Sequence, residues 1–293
     1  MGQPAVRVGV VDIGTNSMRM LITDGVDEVG RWEEVTGLGR GVDATGRLSD
    51  EAMTRTVTAL AKFGEIMDAR EVVNRAAMAT SASRDAANRE DFFDRAEQAL
   101  GARPRLIDGA LEARYAYAGA TARWDGPRPW LVSDIGGGST EFVTEDFETS
   151  IDIGSVRLTE RWFGERPVSG PRVNQARAEV HAMFDDVMTT DVGSLLGVGG
   201  SWTEIGGLVG GARRDVDLAA VTKAEVSQLV VTLAGMTVDE TARLPTLNPA
   251  RGETILGGVL VAEVVMETLG VEEATQSIAD TLDGLALELL ALT

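Results

Sequence analysis

Two stretches of this chain have residue types and a spacing that could do chemistry: Asp12-Ile13-Gly14-Thr15-Asn16-Ser17 and Asp134-Ile135-Gly136-Gly137-Gly138-Ser139-Thr140-Glu141. Each follows an apolar, strand-like run, Arg7 to Val11 in the first and Trp130 to Val132 in the second, that breaks into glycines and hydroxyl residues. Glycine permits positive φ and carries no side chain to cover the backbone, so such a turn opens its N–H groups to an anion of phosphate size. The carboxylates Asp134 and Glu141 at the edges of the second turn are of the type that holds a hard cation or orients a water. Anion and metal sites would then be neighbours.

The elements that must position these turns can be read from the local pattern. After the first turn, Ser17 to Ile22 resumes the strand, giving a β-hairpin. Gly37-Leu38-Gly39-Arg40-Gly41-Val42 is too glycine-rich for regular structure and reads as a surface loop, functional or linking. Ser49 is an N-cap with Asp50 and Glu51 behind it, and Met53, Val57, Leu60, Ala61 and Phe63 continue an apolar helical stripe. Val72 to Met78 reads as a strand, Thr80 to Asp85 as a polar turn, and about 88 to 100 as a helix. Pro104 to Asp108 is a short strand leading into a helix with Glu112 in its first turn, where the helix dipole presents its positive end.

Pro, Gly and charge cluster at 123–129, which sets the expected boundary between a domain over 1–124 and a domain over 125–293, with a terminal helix at about 278–293 packing back on the first. The second half is expected to run through the 134–141 hairpin, a strand over 150–156, a helix from about Asn174 to Met188, a glycine turn at 195–201, and helices over 223–234, 253–269 and 278–292. Asp12 and Asp134 stand 122 positions apart, about one domain length, so internal duplication is the economical explanation.

A chain of 293 residues suits two domains of roughly 120 to 170 residues. It has no cysteine, which removes disulfides, thiolate catalysis and cysteine-held metals and fits a reducing cytoplasm. No basic segment followed by an apolar core opens it, and no apolar run nears the ~18 residues of a membrane span, so a cytoplasmic protein without a membrane partner is expected. A net charge of -19 argues against nucleic acid as a partner. It does not argue against a small polyanion, because backbone amides, a few arginines and a divalent cation can set a local positive potential.

Six blocks, DIGTNSMRMLI at 12–22, TSASRDA at 80–86, DGALEARYAYAGA at 108–120, DIGGGSTEFV at 134–143, IDIGSVRLTER at 151–161 and GVGGSWTEIGGL at 197–208, resemble in order those of the exopolyphosphatase and guanosine pentaphosphate phosphohydrolase family. That family is part of the actin, sugar kinase and Hsp70 superfamily. The resemblance implies an α/β fold of two actin-like, ribonuclease H-like domains with a phosphate-binding cleft between them. It implies that Gly14, Thr15, Asn16, Ser17, Gly136, Gly137, Gly138, Ser139, Thr140, Gly199 and Gly200 bind phosphate, and that Arg84 is a phosphate-binding arginine. Glu112, 22 positions before Asp134, resembles the catalytic base, with Glu141 sharing the catalytic work; Leu111 departs from the acidic residue usual just before that base. Asp134, Glu141 and Asp12 would hold Mg²⁺ or Mn²⁺.

Arg19 either binds phosphate or faces solvent, and Arg157 and Arg161 either line a phosphate path or pair with neighbouring acids. His181 reads as a partly exposed structural residue, and Trp202 either flanks a nucleotide base or fills its place. The expected reaction is metal-assisted release of terminal orthophosphate from inorganic polyphosphate, short chains above all, since few cations are available to line a long channel. The alternatives are hydrolysis of guanosine pentaphosphate (pppGpp), a kinase or ATPase of the same superfamily, and a non-catalytic sensor of polyphosphate or an alarmone. The resemblance also implies a homodimer.

Overall fold

The computed structural model describes residues 6–185, 187, 192–211 and 217–292. The chain divides into two compact units, one of residues 1–119 with 281–293 and one of residues 120–280.

The first unit is built on strands β1 (Val8–Ile13), β2 (Ser17–Thr23), β3 (Glu28–Val35), β4 (Asn74–Ala79) and β5 (Arg105–Leu106), in the spatial order β3-β2-β1-β4-β5. The first three form an antiparallel meander, and β4 and β5 add in parallel to β1. Both faces of β1 are covered, which is why Val8, Val10, Val11 and Ile13 are all apolar although they point to opposite sides. Val11 and Ile13 join a core with Phe63 and Met67 of the helix Asp50–Ala69 and with Phe92 of the helix Arg89–Leu100. Val8 and Val10 point the other way, into a cluster with Tyr115, Leu282 and Leu285. Asp12 continues that second face by the two-residue period of a strand. Ser49 caps the long helix as its sequence predicts, its hydroxyl accepting from the amide of Ala52 at 3.1 Å.

The second unit repeats the plan. Strands β6 (Trp130–Ile135), β7 (Thr140–Val143), β8 (Glu148–Ile151), β9 (Ser194–Val198), β10 (Ala220–Thr222) and β11 (Glu273–Gln276) lie in the order β10-β11-β9-β6-β7-β8. The meander β6-β7-β8 with parallel β9 matches β1-β2-β3 with parallel β4. Its core surrounds the helix Ile255–Leu269, in which every residue from Ile255 to Met266 is buried.

Several local expectations are corrected by contacts that no local pattern contains. The 37–42 segment is no surface loop: Gly37, Leu38 and Gly39 are buried, and the amides of Thr36 and Gly37 donate to the Asn16 carbonyl at 3.0 and 2.8 Å. The segment 150–156 is not one strand, because β8 ends at Ile151 and a helix, Ser155–Trp162, begins. Gly154 lies so close to the second glycine turn that a Cβ there would sit 2.7 Å from the Gly136 carbonyl oxygen. The expected glycine turn at 195–201 is instead the end of β9 and the start of the helix Gly199–Gly210, joined by Gly199 at φ 82°. Thr80 to Asp85 contains a helical turn, Ser81–Asp85. The helix expected over 174–188 spans Gly170–Phe184, and Met188 lies outside the described residues. Strands β3, β10 and β11 went unrecognised, β3 because charges interrupt it and the other two because they are short.

Gly284 in the helix Thr281–Ala291 approaches the backbone of Tyr115, where a Cβ would sit 2.2 Å from the carbonyl oxygen. Gly284→Ala should therefore lower unfolding free energy by about 1–3 kcal/mol despite its better helix propensity, read by denaturant titration. Equal or greater stability would show that the two segments have room to separate.

Candidate active site

The two glycine turns are closed in the same way. In the first, the amide of Gly14 donates to the Ser17 carbonyl at 3.0 Å; in the second, Gly136 donates to Ser139 at 3.0 Å. A Cβ on Gly14 would lie 2.8 Å from that carbonyl oxygen, so the tightness of the turn itself selects glycine. Each turn is then braced from outside. The amides of Ser155 and Val156, at the start of their helix, donate to the carbonyls of Gly136 and Gly137 at 3.0 and 2.9 Å. In the first unit the Gly39 amide donates to the Thr15 carbonyl at 2.8 Å, and Thr15 Oγ1 accepts from the amide of Ala82 at 3.2 Å. With their carbonyls drawn outward, the amides of Gly137 and Gly138 donate to no backbone carbonyl among the described residues. They are suited to an anion. The hydroxyl of Thr140 does not share that freedom, since it donates to the Ile153 carbonyl at 2.7 Å.

The strand registers place the charged residues. Asp12 stands opposite Arg19 on β1–β2, and Asp134 stands opposite Glu141 at the equivalent place on β6–β7. Directly opposed residues share a face at about 5 Å between Cβ atoms. The first unit therefore makes an acid–cation pair, with Arg19 Nη2 donating to Asp12 Oδ2 at 2.7 Å. The second makes an acid–acid pair, both side chains buried, in which Ser150 Oγ donates to Glu141 Oε1 at 2.7 Å. Two adjacent buried carboxylates are a donor set suited to Mg²⁺ or Mn²⁺, ions that take one or two carboxylates and fill the remaining positions with water and phosphate oxygens. Among the described residues no three His, Asp or Glu side chains gather into a larger ligand cluster.

Glu112 is 8% exposed on the first turn of the helix Gly109–Thr121. Arg84 Nη1 donates to its Oε2 at 2.7 Å and to the Ile107 carbonyl at 3.2 Å. Burial pushes the Glu112 carboxyl up most strongly; Arg84 pulls it down by charge and hydrogen bond, Asp12 pushes it up, and a hydrogen bond with Thr80 pulls it down. The outcome is a carboxyl raised to about 7. That is the range in which a carboxylate both accepts a proton and is ionised at neutral pH. Thus the first unit gathers Asp12, Gly14 to Ser17, Arg84 and Glu112. The second gathers Asp134, Gly136 to Glu141, Gly199 and Gly200, since a Cβ on Gly199 would meet Asp134 Oδ1 at 2.2 Å.

Two residues here have no counterpart in the sequence reading. Arg251 and Glu204, 5% and 1% exposed, form an ion pair at 3.4 Å, and Glu204 Oε2 accepts from the Asn248 amide at 3.1 Å. The Arg251 guanidinium lies against Gly200, where a Cβ would be 2.2 Å from Nη2. A signal existed: Glu204 is a lone charge in the otherwise uncharged GVGGSWTEIGGL, and a charge in such a setting is buried only with a partner. Trp202 is fully buried among the apolar core of its unit, so it fills space. Arg161 pairs with Glu179, and His181, on a helix face, pairs with Glu267 at 2.8 Å.

Because Arg84 holds the Glu112 carboxyl down against burial, Arg84→Met should move its titration above about 7, followed by carboxyl-carbon NMR across pH. An unchanged or lower midpoint would mean that the ion pair does not set the ionisation.

Comparison with known proteins extends the likeness over nearly the whole chain. Residues 6–291 match the Ppx/GppA phosphatase family. Exopolyphosphatase 2 of Mycobacterium tuberculosis is 35% identical over 313 residues, covering 97% of this chain and 98% of that protein. The crystal structure of an exopolyphosphatase-like protein superimposes with a TM-score of 0.93 at 32% identity, covering 98% of this chain and 99% of the other. The Aquifex aeolicus member of the Ppx/GppA family gives a TM-score of 0.81 at 27% identity over 99% of both chains. With the repeated meander and its paired glycine turns, these likenesses give the chain the two-domain actin-like α/β fold, and it belongs to the Ppx/GppA phosphatase family.

Proposed function

We propose that this protein is an exopolyphosphatase that releases orthophosphate from the end of inorganic polyphosphate. The observation that carries the proposal is the buried Glu112, raised to about 7 and held by Arg84 beside the first glycine turn. Both turns bind phosphate oxygens, the first through Thr15 to Ser17 and the second through Gly137 to Ser139, since the Gly14 and Gly136 amides are spent closing the turns. Arg84 exchanges part of its contact with Glu112 for an oxygen of the terminal phosphoryl group. Glu112 takes a proton from water as the water oxygen bonds to the terminal phosphorus. The P–O anhydride bond breaks, its electron pair stays with the shortened chain, and the terminal unit leaves as orthophosphate.

Asp134 and Glu141 would hold Mg²⁺ or Mn²⁺, whereas the charge of Asp12 is already offset by Arg19, which leaves it the poorer metal ligand. The cation, when bound, offsets charge on the phosphate oxygens. Phosphate oxygens carry too much negative charge for a site with this acidity unless amides, arginines and a cation act together, which is the arrangement these residues support. The chain contains no cysteine, so no thiol takes part in the proposed reaction, and no helix among the described residues is long and apolar enough to cross a membrane.

Phosphate release from polyphosphates with Mg²⁺ present tests the assignment. Glu112→Gln should reduce kcat by about 10²–10⁴-fold. In the wild type, kcat/KM should rise with pH through about 7, because burial leaves the base protonated and idle below that value. Undiminished release by the variant, or release from guanosine pentaphosphate and from no polyphosphate, would overturn the assignment.

A further inference from the structure

The segment that follows β3 folds over the first glycine turn through the Thr36, Gly37 and Gly39 amides, and just past those anchors the chain opens a cavity of about 470 Å³. Arg40, Thr45, Arg47, Ser49, Asp50 and Asn88 line it. Its floor is fixed: Asn88, 8% exposed, accepts from the Leu48 amide through Oδ1 and donates to the Leu48 carbonyl through Nδ2, both at 2.9 Å.

Its charge is unusual for this molecule. Arg19, Arg31, Arg55, Arg84 and Arg103 of the same unit each hold a carboxylate. The Arg47 guanidinium forms no hydrogen bond or ion pair among the described residues, although the protein carries a net charge of -19. Arg40 is tied to the phosphate turn by position. A Cβ on Gly37 would lie 2.8 Å from Arg40 Nε, and Gly37 is the residue whose amide bonds to Asn16 within the turn. The cavity thus sets two guanidiniums against the single carboxylate of Asp50, together with two hydroxyl residues, Thr45 and Ser49.

We propose that this cavity is a subsite for the distal phosphates of the polyphosphate chain whose end lies on the first glycine turn, with Arg47 and Arg40 as oxygen ligands. The inference rests on the exopolyphosphatase reading and adds to it a source of chain-length preference. Guanidiniums suit it because they grip phosphate oxygens in pairs. With only two of them, the subsite has a short reach. A chain too short to leave the turn gains nothing from it.

The test compares long-chain polyphosphate with tripolyphosphate in the Arg40→Ala/Arg47→Ala protein. Since one charge-assisted contact is worth about tenfold in affinity, the long-to-short ratio of kcat/KM should fall by about tenfold or more. Lys62→Glu, which alters the charge of an exposed residue elsewhere on the unit, should leave that ratio unmoved. Equal losses on both chains, no loss, or the same fall with Lys62→Glu would overturn the subsite. Calorimetric titration of the Glu112→Gln protein with long-chain polyphosphate separates the subsite from turnover. Adding the two arginine substitutions should raise Kd about tenfold, and an unchanged Kd, or no binding at the outset, would overturn the proposal. If the wild type hydrolyses no polyphosphate yet binds it in an Arg47-dependent manner, the subsite stands and the enzymatic reading falls.

Discussion

Burial of one carboxyl is the constraint on which the rest of the candidate site depends. Glu112 is removed from water on a helix whose first turn faces Arg84 and Asp12, and an isolated ionised carboxylate would be costly in such a place. The arginine offsets enough of that cost to keep the carboxyl titrating near neutrality instead of staying protonated. Everything nearby serves to keep the two groups in register. Arg84 leaves a short helix that starts right after β4, its guanidinium is steadied by the Ile107 carbonyl, and Thr80 ties that same turn to Ile13 beside the first glycine turn. Glu112 and Arg84, on two different helices, are thereby held together beside the first glycine turn.

The duplicated meander explains both what the two halves share and how they differ. Their glycine turns are closed by the same bond and braced by segments of different origin, a buried loop in one unit and a helix start in the other. At matching positions of the strand pairs, however, one carries Asp12 with Arg19 and the other Asp134 with Glu141. A single change of sign at an equivalent site turns a neutral pair into two adjacent carboxylates. The same backbone plan thus builds two closed glycine turns while concentrating acidic charge beside one of them.

The buried Arg251–Glu204 pair follows a similar economy. Alone, either charge would destabilise the core of its unit; paired, and with the Asn248 amide satisfying the second carboxylate oxygen, they hold a guanidinium against Gly200. The Arg251 guanidinium occupies the space a side chain at Gly200 would need, and Gly199 is favoured as glycine by its own positive φ.

The amino-acid sequence by itself determined the turns. The order of apolar run, aspartate, glycine and hydroxyl residue acts through φ, ψ and strand alternation, which involve neighbours in the chain, so both hairpins, the Ser49 cap and the placement of Glu112 in a first helical turn were legible. Repetition of the pattern 122 positions later made the duplication legible as well. Tertiary structure alone decided what surrounds those elements. It buried Gly37 to Gly39 against the first turn and converted Ser155 from an expected strand residue into the start of a helix. It also brought Arg84 to Glu112, and Arg251 to Glu204, across 28 and 47 positions of chain. The physical reason is that desolvation, ion pairing and close approach depend on which distant atoms displace water from a group, and no local pattern of residues records that.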